Sequence, residues 1–156
     1  MIKFIRLDDR LIHGQVATNW IREVDPEFVL EVDDRVAGNQ LLESLQRTSC
    51  PKDMALKICS SSQASALIKK YQDKQFFLLV GSVKALYNIA GDTPEIKSVD
   101  LGNMGYRDGK VKLINRLFVT AEEKALLKEL QQKGVELYAQ MIPQEPKDPI
   151  DPALLQ

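Results

Sequence analysis

The chain has 156 residues and a net charge of −1, which is the length of one domain and leaves no overall basic field to attract nucleic acid or anionic lipid. Its apolar and charged contents, 44% and 28%, are ordinary for a globular protein, and its longest apolar run, residues 76–80, is far too short to cross a bilayer. With no signal peptide and no metal-ligand spacing around its two cysteines, we expect a cytoplasmic protein with reduced thiols and no bound metal.

Apolar runs typical of β-strands alternate along the chain with helical patterns. We predict strands at residues 2–7, 27–32, 54–59, 76–80, 96–101, 116–119 and 135–141, and helices at 15–23, 40–48, 62–72, 83–90 and 121–132. The last helix opens with a capping box, Thr120 with Glu123, and Gly134 follows its end. This alternation predicts an α/β fold with a mainly parallel central sheet.

Residues 40–48 place Leu41, Leu42 and Leu45 on one helical face. The C-terminal segment is different, because four of the seven prolines fall at 143, 146, 149 and 152. We therefore predict an irregular surface tail at residues 143–156. No composition shift marks a domain boundary, so residues 1–156 are expected to form a single domain.

The loop that leaves the first strand carries the most unusual residues of the chain, including the only histidine, His13. In open parallel sheets, ligands bind in the crevice beyond the carboxyl ends of the strands. An unprotonated imidazole nitrogen accepts a phosphoryl group readily and releases it again. Arg10, three residues before His13, offers a planar fork for the phosphate oxygens. The sequence therefore points to phosphoryl chemistry at His13.

Three further features of this loop fit an anion site. The backbone N–H groups from Gly14 and Gln15 to Val16 open the first helix, where anions are favoured, and Gly14 has no side chain to block the approach. An aspartate that accepts a hydrogen bond from the second imidazole N–H would fix the tautomer of the ring, and either Asp8 or Asp9 could do so, with Asp8 preferred.

Other interpretations of the same residues are also open. His13 is compatible with a non-enzymatic, flavodoxin-like binding or regulatory domain, in which it only pairs with an acid, and with a hydrolase, in which it acts as a general acid or base. Ser82, which follows the all-apolar strand, is either a helix cap or a hydroxyl that reaches phosphate. No G-x-G-x-x-G follows the first strand and no P-loop motif occurs, so we predict no nucleotide cofactor.

Two blocks of the chain resemble a known family. Residues 8–16, DDRLIHGQV, resemble the signature of the IIB subunits of the mannose/fructose/sorbose family of the bacterial sugar phosphotransferase system (PTS), and residues 99–110, VDLGNMGYRDGK, resemble a later loop of that family. The resemblance implies a doubly wound α/β domain with one antiparallel edge strand near the C-terminus. It also implies that His13 accepts phosphate from a phosphohistidine on a IIA protein, and that Arg10 stabilises the phosphoryl group during transfer.

The resemblance further implies a transferase that works at the membrane. Phosphate would pass from His13 to a sugar carried by the IIC and IID subunits, which places the protein in the cytoplasm on the surface of a membrane transporter. Asn103 in Gly102-Asn103-Met104, and residues 142–146, IPQEP, resemble the N-acetylgalactosamine-type branch. The sequence leaves open the sugar, the ring nitrogen that carries phosphate, and whether the protein forms a homo-oligomer.

Overall fold

A computed structural model describes all 156 residues. Its strands are β1 (Ile2–Asp8), β2 (Phe28–Val32), β3 (Ala55–Cys59), β4 (Phe76–Val80), β5 (Ser98–Asn103), β6 (Val111–Ile114), β7 (Leu117–Val119), β8 (Glu136–Ala139) and β9 (Asp148–Pro149). Its α-helices are α1 (Ile21–Val24), α2 (Gln40–Ser49), α3 (Ser61–Lys70), α4 (Val83–Asp92) and α5 (Ala121–Gln132).

Seven of these strands form one sheet in the order β3-β2-β4-β1-β5-β8-β9, and β6 and β7 form a separate antiparallel ribbon. All pairings in the large sheet are parallel except that of β8 with β9. The predicted α/β architecture, with a mainly parallel sheet and an antiparallel edge strand near the C-terminus, is therefore confirmed. The N-terminus of α5 is capped as the sequence predicts, since the Thr120 hydroxyl accepts from the Glu123 N–H and the Glu123 carboxylate accepts from the Thr120 N–H.

The sheet is covered on both faces by two apolar clusters, and β4 at its centre contributes to both. Phe76, Leu78 and Val80 point to the larger cluster, with α3, α4 and α5, while Phe77 and Leu79 point to the smaller one, with α1 and α2. Because side chains alternate along a strand, only a wholly apolar strand suits this position. The fold is therefore doubly wound, as the resemblance implied.

The winding changes direction between β1 and β4. The chain leaves β1 towards α1 on one face of the sheet, and it leaves β4 towards α4 on the other face. The two loops therefore separate at the carboxyl edge and leave a crevice there, which is the usual ligand position in this kind of sheet. No helix in the structure combines the length and the apolar character needed to cross a membrane.

Three local predictions differ from the structure. The tail 143–156 is not wholly irregular: β9 pairs with β8, residues Pro152–Leu155 form a 3-10 helix, and Ile150 and Leu155 are buried in the larger cluster. The prolines are compatible with this arrangement because β9 is an edge strand. The helix predicted at 15–23 begins as a π-helical segment, Val16–Trp20, before α1. The strand β6 was not predicted.

Candidate functional site

The loop that carries His13, residues 9–15, is termed the histidine loop. Two buried side chains, Leu11 and Ile12, fix it to the smaller apolar cluster. Leu11 has a φ of 60°, in the left-handed region that is costly for a leucine, and the Ile12 N–H donates to the side-chain oxygen of Gln46 on α2 at 2.8 Å. Because both neighbours on its N-terminal side are anchored, His13 projects from a constrained backbone.

The carboxylate of Asp8, at the end of β1, connects the charged residues of the site. One of its oxygens accepts from the backbone N–H and the Nε of Arg10, at 3.0 and 3.1 Å. The other accepts from Arg10 Nη2 and His13 Nε2, both at 3.1 Å, and lies 3.4 Å from Arg6 Nη2. Burial raises the pKa of Asp8, but the hydrogen bonds from His13 and Arg10 and the charge of Arg6 outweigh it, so its pKa is lowered. Asp8 is therefore ionised at neutral pH.

This contact fixes the state of the His13 ring. An ionised carboxylate only accepts hydrogen bonds, so Nε2 carries the proton and Nδ1 of the neutral ring is left with its lone pair. The side chain of His13 is 21% exposed, and its Nδ1 is not a fully buried atom, so Nδ1 can be reached from solvent. No protein group forms a hydrogen bond with Nδ1. The arrangement provides one nucleophilic nitrogen that is oriented and accessible.

Arg10 lies beside His13 on the same carboxylate. Its side chain is 41% exposed, and only the N–H groups on Nε and Nη2 contact Asp8. A guanidinium has five N–H groups, so those on Nη1 and the second one on Nη2 remain for another acceptor. Arg10 is therefore held in a fixed orientation with free donors next to the histidine.

The residues after His13 also offer free donors. The backbone N–H groups of Gly14 and Gln15 donate to no protein acceptor. Gly14 is exposed, and a Cβ at this position would meet no atom within 4 Å. The N–H groups expected to bind phosphate are thus available, although steric space does not require a glycine at position 14.

Asp9, the other candidate for orienting His13, has a different role. Its carboxylate accepts from Asn103 Nδ2 at 2.8 Å and from the Gly105 N–H at 2.7 Å. The Asp9 N–H in turn donates to the Asn103 carbonyl at 3.0 Å. Asp9 therefore connects the histidine loop to the loop after β5, and Asp8 alone contacts the imidazole.

A buried ion pair between Arg6 and Asp100 lies next to Asp8, and the sequence did not predict it. The guanidinium of Arg6 contacts the carboxylate of Asp100 on β5 and donates to the Gln140 carbonyl at 2.8 Å, and Arg6 and Asp100 are fully buried. Burial raises the pKa of Asp100 to about 6, and the charge of Arg6 opposes that rise. The sequence signal for this ion pair is Arg6 itself, a charged residue within the apolar strand β1. A Cβ at Gly102 would come within 2.2 Å of the Arg6 guanidinium, so the glycine leaves the space that this buried group occupies.

Ser82 forms no hydrogen bond with His13 or Arg10. Its hydroxyl accepts from the Ala85 N–H at 3.1 Å and so caps α4. It lines a polar crevice of about 320 Å³ together with Asp9 and Arg35, and His13 does not line this crevice. The structure thus brings Asp8, Arg10 and His13 together, with the N–H groups of Gly14 and Gln15 beside them, and it uses the Ser82 hydroxyl as a helix cap.

A second turn at the same edge repeats the geometry of Asp8 and Arg10. Asp33, at the end of β2, accepts from the N–H, Nε and Nη2 of Arg35 at 2.8, 3.2 and 2.9 Å. Arg35 Nη2 also donates to the Asp9 carbonyl at 3.3 Å. No histidine accompanies this second turn. No group of three or more histidine, cysteine or acidic side chains is placed to hold a metal ion.

The fold corresponds to that of phosphotransferase IIB domains. The crystal structure of the IIBSor domain of the sorbose permease from Klebsiella pneumoniae superposes with a TM-score of 0.87 at 27% identity, over 94% of this chain and 91% of that one. Residues 2–156 match the family model described as the PTS system sorbose subfamily IIB component. The chain therefore belongs to the sorbose subfamily of PTS IIB components.

Relatives named for different sugars are similar to this chain over most of its length. A probable phosphotransferase enzyme IIB component of Streptococcus pyogenes serotype M6 is 33% identical over 155 residues, which cover 94% of this chain and 95% of that protein. The N-acetylgalactosamine-specific IIB component 2 of Escherichia coli K12 is 31% identical, with 90% of each chain covered. The mannose-specific EIIAB component of the same strain is 28% identical, and the match covers 94% of this chain and 46% of that longer protein.

Proposed function

We propose that the protein is the phosphoryl carrier of a sugar-specific PTS transporter and that His13 Nδ1 carries the phosphate. The observation that supports this most directly is the contact between Asp8 and His13 Nε2, which leaves Nδ1 as the free nitrogen of the ring. Membership of the sorbose subfamily of IIB components agrees with a role in sugar phosphotransfer. Asp8 would keep the ring in one tautomer throughout the cycle.

The first transfer runs between two imidazoles. The Nδ1 lone pair of His13 attacks the phosphorus atom of a phosphohistidine on the donor, a new N–P bond forms, and the donor's N–P bond breaks with its electron pair returning to the donor ring. Because the bonds formed and broken are of one kind, the step is nearly thermoneutral and needs alignment and charge stabilisation. Arg10 and the N–H groups of Gly14 and Gln15 would bind the phosphoryl oxygens.

The second transfer delivers the phosphate to a sugar. A sugar hydroxyl oxygen attacks the phosphorus, the N–P bond to His13 breaks, and the hydroxyl proton passes to solvent or a base on the acceptor. We propose that this step takes place at IIC and IID membrane subunits. The protein would then bind on the surface of the transporter. Relatives carry mannose, sorbose and N-acetylgalactosamine in their names, and the resemblance of residues 142–146 favours the last of these.

The donor is proposed to be a IIA protein or domain. The mannose-specific relative is named as an EIIAB component, and this chain matches 46% of it, which agrees with a IIA portion joined to a IIB portion. The alternative of a purely binding domain does not account for an oriented, unpaired Nδ1 beside a guanidinium with free donors. A hydrolase with a cysteine nucleophile is disfavoured because Cys50 and Cys59 are buried and burial raises the pKa of both thiols.

Phosphate labelling tests this function. The protein is incubated with the general phosphotransferase proteins, a matching IIA and labelled phosphoenolpyruvate. We expect acid-labile, base-stable label on this chain, with none on His13→Ala, and NMR of the labelled ring is expected to show substitution at Nδ1. Absence of label on the wild-type chain, with a IIA that is itself labelled, would contradict the proposal.

A further inference from the structure

Helix α2 leaves an apolar surface uncovered. None of its ten residues is buried, although the helix is amphipathic and only Leu42 packs on the smaller apolar cluster. Leu41 is 70% exposed and Leu45 is 54% exposed, one turn apart on the same side of the helix. These two side chains are termed the α2 ridge. The two side chains form a small exposed apolar patch on a helix that packs against the sheet through Leu42.

The direction of the ridge follows from two contacts. Gln46, which lies one turn after the inward-facing Leu42, accepts from the Ile12 N–H of the histidine loop, and Arg47 Nη1 donates to the Leu56 carbonyl on β3 at 2.9 Å. Successive helical residues are about 100° apart, so if Arg47 lies on the β3 side, the α2 ridge lies on the opposite side. Because β3 is the edge strand in the order β3-β2-β4-β1, the side of α2 opposite β3 is the side towards β1, the strand that leads into the histidine loop.

We infer that the α2 ridge is a docking surface for the phosphorylated IIA donor. This inference rests on the function proposed above, because it takes His13 as the atom that the donor must reach. A stable protein–protein contact covers about 800 Å² on each partner. The histidine loop alone is too small for that area, so a donor centred on His13 extends over the neighbouring surface, and α2 is joined to the loop through Gln46 and Ile12.

The charges at the same edge fit such a donor. Arg10 and Arg35 both expose about half of their side chains next to the histidine loop. A partner that presents a phosphohistidine brings negative charge to these guanidinium groups, and an apolar patch beside the charge provides buried area. The combination suits a globular protein with an anionic centre and an apolar margin.

Donor kinetics test the inference. The double variant Leu41→Gln, Leu45→Gln changes exposed positions and keeps good helix formers, so the fold is expected to be retained. Initial rates of label transfer to the chain are measured over a range of phospho-IIA concentrations. We expect the KM for phospho-IIA to rise about 5- to 20-fold, with the maximal rate within about twofold of wild type. Leu154→Gln, an apolar position 39% exposed beside α5 on the other face, is the matched control and is expected to leave KM unchanged.

Each alternative occupant gives a different result. An unchanged KM in the double variant, with His13→Ala inactive, would overturn the docking inference and leave the carrier function intact. Conversion of a wild-type dimer to a monomer by the double variant, in sedimentation, would show that a second copy covers the ridge. Loss of transfer to sugar alone, with donor kinetics unchanged, would assign the ridge to a membrane subunit. If the wild-type chain accepts no label, the proposed function fails and this inference fails with it.

Discussion

Asp9 accepts a hydrogen bond from the backbone N–H of Gly105 at 2.7 Å and so joins the histidine loop to the loop after β5. The two loops leave neighbouring strands, β1 and β5, at the same edge of the sheet. Loops lack the regular backbone hydrogen bonds of paired strands. A side chain that accepts from a backbone N–H can hold a loop in place instead. The position of His13 thus depends on residues almost a hundred positions further along the chain.

The first prediction concerns this connection. Asp9→Ala leaves the N–H of Gly105 and the amide of Asn103 without their acceptor, so we expect the free energy of unfolding to fall by about 1–3 kcal/mol. Hydrogen exchange at the Gly105 amide is expected to accelerate. Asp108→Ala, at an exposed position of the same loop, is the control and is expected to leave that amide unchanged. Equal exchange at Gly105 in both variants would contradict the assigned contact.

The second prediction compares Arg10 with Arg35, which forms the same hydrogen bonds in the turn at Asp33. Arg10→Lys replaces a planar fork by a point charge, which cannot hold Asp8 and phosphate oxygens together, so we expect phosphoryl transfer to slow about 10- to 100-fold. Arg35→Lys makes the same change in the turn at Asp33, which has no histidine, and transfer is expected to stay within about threefold of wild type. Single-turnover rates at saturating phospho-IIA provide the comparison, and similar losses in the two variants would remove Arg10 from the phosphate site.

The third prediction concerns Glu31, which is fully buried on β2 with no hydrogen-bond partner for either carboxyl oxygen. Burial, with the charge of Asp33 adding to it, raises the pKa of Glu31 to about 8. Above pH 4.5 the unfolded chain releases this proton while the folded chain retains it, so folding stability falls as pH rises from about 5 to 8 and then levels off.

Glu31→Gln removes the carboxyl group whose protonation differs between the folded and the unfolded chain. At pH 9 the variant is expected to exceed wild type in free energy of unfolding by roughly 2–5 kcal/mol, and at pH 5 the two are expected to be similar. Urea denaturation at pH 5, 7 and 9 measures the difference. Glu95→Gln, at an exposed position, is expected to show no such pH dependence. A Glu31→Gln gain that is equal at pH 5 and pH 9 would show that titration of Glu31 is not its cause.

The fourth prediction compares two glycines. A Cβ at Gly102 would displace the Arg6 guanidinium, which is held by Asp8 and Asp100, so Gly102→Ala is expected to cost about 2–4 kcal/mol of stability and to slow transfer. A Cβ at Gly91 in α4 meets no atom within 4 Å, and Gly91→Ala is expected to be neutral or stabilising by up to about 1 kcal/mol. Thermal unfolding of both variants gives the comparison, and a neutral Gly102→Ala would mean that Arg6 is free to move.

The sequence predicts most of the sheet because apolar strands have a local signature. β4 is the clearest case, since its five residues are all apolar and all buried. The sequence also places His13 and Arg10 in the loop after β1, because both residues come shortly after the first apolar run. These features depend on residues that are neighbours in the chain, which is the information that periodicity contains.

Other features depend on contacts between distant residues. Arg6 and Asp100 are 94 positions apart and meet only because β1 pairs with β5. The burial of Ile150 and Leu155 depends on β8 and α5, so proline spacing alone gave the wrong prediction for the tail. Leu41 and Leu45 fit a core-facing pattern, but the face of α2 that packs is the one with Leu42 and Gln46.

The single free nitrogen of His13 has a kinetic consequence. Under the proposed function, Nδ1 must face the IIA donor in one step and the sugar in the next, and Asp8 prevents the ring from offering its other nitrogen. The two partners then require the same surface of this chain and exclude each other. Uptake is expected to rise with IIA concentration, pass through a maximum and decline, because excess donor occupies the face from which the sugar must be phosphorylated.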